Sequence, residues 1–280
     1  MEEGQKKVLQ DQLTIIPFSL ITSIIIVSCY LSSRYLVALL FCLIVGAFNF
    51  FIVKSKQRRT EFYTAQILCF LFINSALRLL SGFFFNLQFH LYVISLCAYH
   101  FGEYFGVLLY HYDKLSFSSY LIDQSSQWVI ATTSSFIELI IENYIFHNIK
   151  FSKIIIALGV ICMIVGHIFR MGAIYTGKKN FTHIVAERKK NEHELVKEGI
   201  YSISRHPSYF GFYLWSVGTQ IMCVNPICVI GFTIVLFLFF KDRIINEEYY
   251  LITFFGQAYV DYRKEVPILI PCKNKSYNPQ

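Results

Sequence analysis

The chain has 280 residues, 55% of them hydrophobic and only 15% charged, with a mean hydropathy of +0.49. A soluble domain carries about a quarter charged residues, so this composition excludes an ordinary water-soluble globule. The net charge of +7 is gathered in two connections: Lys54, Lys56, Arg58 and Arg59, and then Lys178, Lys179, Arg188, Lys189 and Lys190. Both clusters flank apolar runs, which fits the positive-inside rule for membrane proteins and argues against a nucleic-acid partner.

In chain order, the apolar runs predict an all-α, polytopic integral membrane protein of about eight transmembrane helices, near residues 13–31, 35–53, 62–80, 89–112, 127–147, 152–176, 208–223 and 226–241. Met1-Glu2-Glu3 is acidic and lacks the basic start of a signal peptide, so the first run is expected to be retained. The C-terminal sequence Tyr277-Asn278-Pro279-Gln280 carries no lipidation box. Eight crossings place both termini and both basic loops on one side, expected to be cytosolic. The sequons at Asn180 and Asn274 fall on that side and should carry no glycan. The eight cysteines form no C-x-x-C pair and read as small buried hydrophobes, and no metal site is expected.

The expected division is an N-terminal bundle, 1–176, and a C-terminal core, 177–280. That core comprises a polar loop, a helical hairpin over 208–241 and an amphipathic tail. Phe210 to Cys223 is a short apolar segment, Asn225-Pro226 turns the chain, and Gly211 and Gly218 allow neighbouring helices to approach closely. A helix is predicted from Lys241 to Phe255, stopping at Gly256.

The polar residues gather at the mouth of the hairpin. Arg205-His206-Pro207-Ser208-Tyr209 sets a cation, an imidazole and a phenol at the start of an apolar segment, where ionisable groups are expensive unless used. Pro207 suits the first turn of a helix, and the positive end of that helix favours an anion. Arg243 and Glu247 are four apart and share a helix face, while Glu248 points about 100° away. The plain reading of the first two is a solvated ion pair; beside the His-Pro turn they become candidate site residues. Upstream, His193-Glu194-Leu195-Val196 and Tyr201 form either a packed loop or a pocket wall, and the pattern alone does not separate the two.

Together, the Arg205 to Tyr209 turn, Gly211, Asn225-Pro226, Asp242-Arg243 with Glu247, Phe254-Phe255-Gly256, Tyr259 and Tyr262 resemble the isoprenylcysteine carboxyl methyltransferase family, most densely from about 177 to 271. The resemblance implies S-adenosylmethionine as cofactor. It would be bound in the cytosolic C-terminal part by His193, Glu194, Leu195, Val196, Tyr201, His206, Pro207, Ser208, Tyr209 and Glu247. Arg243 would meet the substrate carboxylate, and Arg243 with Glu247 would form the catalytic pair. Relatives often have glutamine near the position of Ala186, a departure that puts one side-chain contact in doubt. The implied substrates are prenylated CaaX proteins, such as Ras- and Rho-type small GTPases, methylated at the endoplasmic reticulum membrane. A substrate carboxylate with a pKa near 3.5 is already ionised, so His206 is not needed as a general base. Two other classes compete: a sterol-type membrane reductase using NADPH on a related hairpin, and a transporter or non-catalytic scaffold. Transporter sites lie at the membrane midplane between repeats, whereas polarity here collects at one edge. Arg78, His100, Glu103, Glu138, Glu142, His167 and Arg170 are read as pairing within the bundle or snorkelling.

Overall fold

The structure, a computed structural model, describes residues 19–26, 56–80, 87–122, 125–145, 153–189 and 193–270. The expected span at 35–53, the ends of the span at 13–31, Cys29, Cys42, Cys272 and the Asn274 sequon lie outside the described residues. Every regular element among the described residues is helical. The longer ones are α1 (Lys56–Leu80), α2 (Leu87–Tyr110), α3 (Ser126–Ile145), α4 (Lys153–Gly177), α5 (Pro207–Cys223), α6 (Pro226–Phe255) and α7 (Gln257–Glu265). Three described segments are long and apolar enough to cross a membrane: Thr60–Leu80, Leu87–Tyr110 and Lys153–Asn180.

The chain forms two compact units, Met1–Val129 and Ile130–Gln280. In the first, α1 and α2 pack against a short turn, Phe117–Tyr120. Tyr104 stacks on Tyr120 with ring centroids 4.1 Å apart, and the Tyr104 hydroxyl donates to Glu61 at 3.4 Å. His100 Nδ1 lies 2.7 Å from the Tyr120 carbonyl. Glu61, Tyr104 and His100 thus find polar partners within the bundle, which offsets the cost of isolating them in an apolar medium.

In the second unit the closest pairing joins α4 and α5, antiparallel. Glycines on both helices make it possible. A Cβ added to Gly159 would fall 2.2 Å from the backbone nitrogen of Met222, and one on Gly166 would fall 2.3 Å from that of Trp215. Gly211 and Gly218 meet the Arg170 and Met163 backbones just as tightly, at 2.5 and 2.7 Å. Close approach at Gly211 and Gly218 is as the sequence suggests, but the partner is α4, preceding the hairpin. Seven-residue spacing on each helix brings glycine rows face to face, a small-residue contact suited to a lipid setting.

The turn between α5 and α6 is pinned by α3. Asn225 donates to the Ser135 carbonyl and to Gln220 Oε1, both at 3.0 Å. The Glu138 carboxylate accepts the N–H groups of Ile227 and Cys228 at 2.7 and 2.8 Å. Pro226 opens α6, so these are first-turn donors without a partner inside the helix, and a carboxylate there is favoured by the dipole. The polar Glu138 therefore acts as a helix cap.

No breaker separates residues 241 and 242, so the expected span and the expected juxtamembrane helix form one rod. The 30-residue α6 is roughly 45 Å long, against an apolar bilayer core of about 30 Å. It stops at Gly256, where φ is +55°, a conformation that favours glycine. Its last third, with α7 and the segment to Ile270, surrounds the His-Pro turn.

Candidate functional site

His206 precedes α5 with Pro207 in the first turn, as read from the sequence. The N–H groups of Tyr209 and Phe210 both donate to the His206 carbonyl at 3.1 Å, which fixes the turn. Arg205 ties it to the tail. Its Nε and Nη2 donate to Glu248 Oε1 at 3.0 and 2.8 Å, and its Nη1 donates to the carbonyls of Arg263 and Val266. Both side chains are buried, at 2% and 8% exposure. Arg205 is thus the clamp that brings the turn and α6 together.

His206 lies between two carboxylates. Nδ1 is 3.4 Å from Glu247 Oε2, and Nε2 is 3.4 Å from Glu248 Oε1. Burial disfavours its charged form, but the two carboxylates outweigh burial and raise its pKa to about 8. The same neighbours act in reverse on the acids. Burial opposes ionisation of Glu248, yet His206 and Arg205 hold its pKa down at about 2. Glu247 is likewise held below the usual carboxylate range, burial being overcome by His206, with Tyr209 and Arg243 helping. The two carboxylates thus favour the imidazolium form of His206, which makes it a poor proton acceptor. The ring also stacks on Tyr209, 5.5 Å between centroids and 4° from parallel.

Arg243 does not settle into the expected pairing with Glu247. Its Nε donates to the Tyr209 hydroxyl at 2.8 Å and its Nη2 to the His183 carbonyl, with the guanidinium 5.3 Å from the Tyr209 ring centroid. Glu247 turns to His206 instead. A second arginine, Arg170 of α4, donates to Ser208 Oγ and lies 3.4 Å from His183 Nδ1. Sequence reasoning left Arg170 among residues paired in the bundle. It also left Glu248 aside on the strength of its 100° offset. Both assignments overlooked that an imidazole has two edges and that α4 runs alongside α5.

Two adjoining cavities open here. One of about 380 Å³ is lined by Tyr201, Arg205, His206, Pro207, Ser208, Tyr209 and Glu247 together with residues 180–182. The other, about 450 Å³, is lined by Ala186, His193, Glu194, Glu247, Tyr250, Leu251, Phe254 and Phe255 with Asn180 and Thr182. Asn180, Thr182 and Glu247 belong to both. Asn180 Oδ1 accepts the Glu194 N–H at 3.0 Å, joining the loop walls. Tyr201 presents a face to the first cavity, its hydroxyl 3.4 Å from the Ala173 carbonyl, and its own carbonyl accepts from Tyr262 at 2.6 Å. Leu195 packs instead against Tyr259, Tyr262 and Val266, and Val196 stands outside both cavities. Glu247 Oε2 is buried and meets His206 Nδ1 at 3.4 Å as an ion pair without a well-formed hydrogen bond, so it retains acceptor capacity. Such an acceptor suits an ammonium group, so these residues fit a cationic ligand carrying one.

Residues 158–253 match the model of the isoprenylcysteine carboxyl methyltransferase family. Over 183 residues the chain is 49% identical to the protein-S-isoprenylcysteine O-methyltransferase of Dictyostelium discoideum, covering 65% of this chain and 77% of that protein. The chain belongs to the isoprenylcysteine carboxyl methyltransferase family. A Xenopus laevis protein-S-isoprenylcysteine O-methyltransferase is 39% identical over 180 residues, 64% of this chain and 62% of that protein. The fold agrees: a solved structure of the eukaryotic intramembrane Ras methyltransferase of this family, determined without a monobody, superposes with a TM-score of 0.84 at 30% identity, covering 97% of this chain and 98% of that one. Membership displaces both the reductase and the scaffold readings. A methyltransferase of this family needs room for a methyl donor and an acceptor, and the two cavities, with Arg243 bonded to Tyr209 of the first, supply candidates.

Proposed function

We propose that the protein methylates the C-terminal carboxylate of prenylated cysteine in CaaX-processed proteins, with S-adenosylmethionine as donor in the paired cavities. The observation that carries the site assignment is Glu247, a carboxylate that lines both cavities and is paired there with His206 alone among the ion pairs of the described residues. S-adenosylmethionine supplies an electrophilic methyl on a sulfonium, and its transfer leaves a thioether and a methyl ester. Glu247 binds the donor's ammonium and complements its cationic charge. The start of α5 and Arg170 beside Ser208 favour the donor's carboxylate. Tyr201, His193 and Glu194 wall the cavities, and Leu195 packs beside them on Tyr259, Tyr262 and Val266.

Arg243 receives the acceptor carboxylate. Cation and anion neutralise each other along the reaction, so a guanidinium stabilises the ground state at least as well as the transition state. Its role is therefore aim: a fork that points one carboxylate oxygen at the methyl. The Tyr209 hydroxyl and the His183 carbonyl hold that fork in place.

The wider proposal keeps residues 1–176 as a membrane bundle and 177–280 as the methyltransferase core, in an eight-helix protein of the endoplasmic reticulum with termini and site facing the cytosol. Ras- and Rho-type GTPases are the proposed substrates, their lipid tails arriving laterally through the bilayer. The test is transfer of radiolabelled methyl to N-acetyl-S-farnesylcysteine by the purified protein. Base-labile methyl ester is the expected product, and its absence with active donor and acceptor would overturn the proposal.

A further inference from the structure

A third opening lies on the outer side of Arg243. It is a groove of about 1140 Å³ lined by Glu187, Phe239, Asp242, Arg243, Asn246 and Tyr249, among others. Tyr250 forms a wall of this groove and of the second donor cavity, and the Arg243–Tyr209 contact separates it from the first. Glu187, Asp242, Asn246 and Tyr249 are exposed, so the groove faces water as well as the site. Among the described residues Arg243 is the one cation lining it; Arg188, which follows Glu187, and Lys241, which precedes Asp242, do not line it. Lys189 is engaged elsewhere, donating to the Phe254 carbonyl at 2.7 Å.

Resting on the reading of Arg243 given above, we infer that this groove takes the polypeptide preceding the prenylated cysteine and favours basic residues there. Three groups diverge from that cysteine: its carboxylate, its prenyl thioether and the chain on its amino side. The carboxylate goes to Arg243 and the prenyl chain to lipid. The polypeptide needs a water-facing path that begins at Arg243, and this groove begins there. Once the substrate carboxylate has matched Arg243, the Glu187 and Asp242 carboxylates remain and attract lysine or arginine side chains. The Asn246 amide and the Tyr249 phenol can hydrogen-bond an extended backbone without regard to its sequence.

The test compares S-farnesylated peptides with three lysines, three serines or three glutamates before the cysteine, each referred to N-acetyl-S-farnesylcysteine. With the full-length protein, kcat/KM relative to the reference should be roughly threefold to tenfold higher for the lysine peptide than for the glutamate one, since each exposed charge pair contributes modestly. The preference should shrink as salt rises and invert in the double variant Glu187→Lys/Asp242→Lys. Because the readout is a ratio between two substrates, a general loss of fold or chemistry cancels. Equal peptides, or a preference unchanged in the double variant, would overturn the inference while leaving the methyltransferase reading intact. Failure to methylate N-acetyl-S-farnesylcysteine would overturn that reading and this inference with it.

Discussion

Removing Glu248 should unfold the site from its base. Its carboxylate takes two hydrogen bonds from Arg205, at 2.8 and 3.0 Å, and one from the Tyr259 hydroxyl at 3.3 Å, with His206 Nε2 at 3.4 Å. In Glu248→Ala the Arg205 guanidinium keeps only neutral carbonyls as partners, at Arg263 and Val266, inside a region where its side chain is 2% exposed. Breaking a buried pair by deleting one partner is destabilising by about 3–5 kcal/mol, because a desolvated charge is left uncompensated. For a unit of this size that is a fall of roughly 6–20 °C in Tm. The assay is thermal unfolding of the detergent-solubilised protein, read by intrinsic fluorescence. Glu247→Ala is the control: its side chain is 28% exposed, and His206 keeps Glu248, so Tm should fall much less. Replacing both members, Arg205→Met with Glu248→Leu, should recover much of the loss, since no charge is then stranded. A Glu248→Ala protein as stable as the parent, or a double variant worse than the sum of the singles, would refute the clamp.

Other consequences follow from the same geometry. His206, with a pKa raised to about 8, contributes stability fully below its unfolded value of 6.5 and loses it as pH rises through 8, so Tm should decline across that interval and His206→Gln should flatten the decline. The sign is opposite for Glu248, whose contribution is present above 4.5 and fades as pH falls toward 2. Arg243→Lys should lower kcat/KM by about a hundredfold while Tm hardly moves, because a point charge replaces a planar fork; activity equal to the parent would contradict the aiming role. Gly166→Ala drives a Cβ to 2.3 Å from the Trp215 nitrogen and should destabilise by about 1–3 kcal/mol or more, measured by thermal unfolding. Gly231→Ala meets nothing within 4 Å and should be neutral or slightly stabilising through helix propensity.

The chain's local chemistry announced much of this arrangement. Pro207 and Pro226 open helices because proline's fixed φ and missing N–H suit a first turn, Asn225 makes the turn between them, and Gly256 ends the second because glycine tolerates its positive φ. The clustering of His206, Tyr209, Arg243 and Glu247 was legible from polarity at the end of an apolar run. Interactions between distant segments were not. Arg170 reaches Ser208 only because glycine rows let α4 lie against α5. Matching seven-residue glycine spacings at 159/166 and 211/218 carried that signal in the sequence. Glu248 was passed over because helix periodicity asks which residues share a face, whereas a buried imidazole recruits partners from two faces at once. Glu138, read as pairing within the bundle or snorkelling, finds its partners instead in two N–H groups at the N-terminus of α6.

Equilibrium binding of S-adenosylhomocysteine to the purified protein, followed by calorimetry beside its Glu247→Gln variant, probes the donor site without requiring an acceptor. The parent should bind it and ignore NADPH, and the neutral variant should bind about tenfold more weakly, roughly the 1.4 kcal/mol expected for one charge-assisted hydrogen bond. Equal affinity in parent and variant would show that the donor lies elsewhere than beside Glu247.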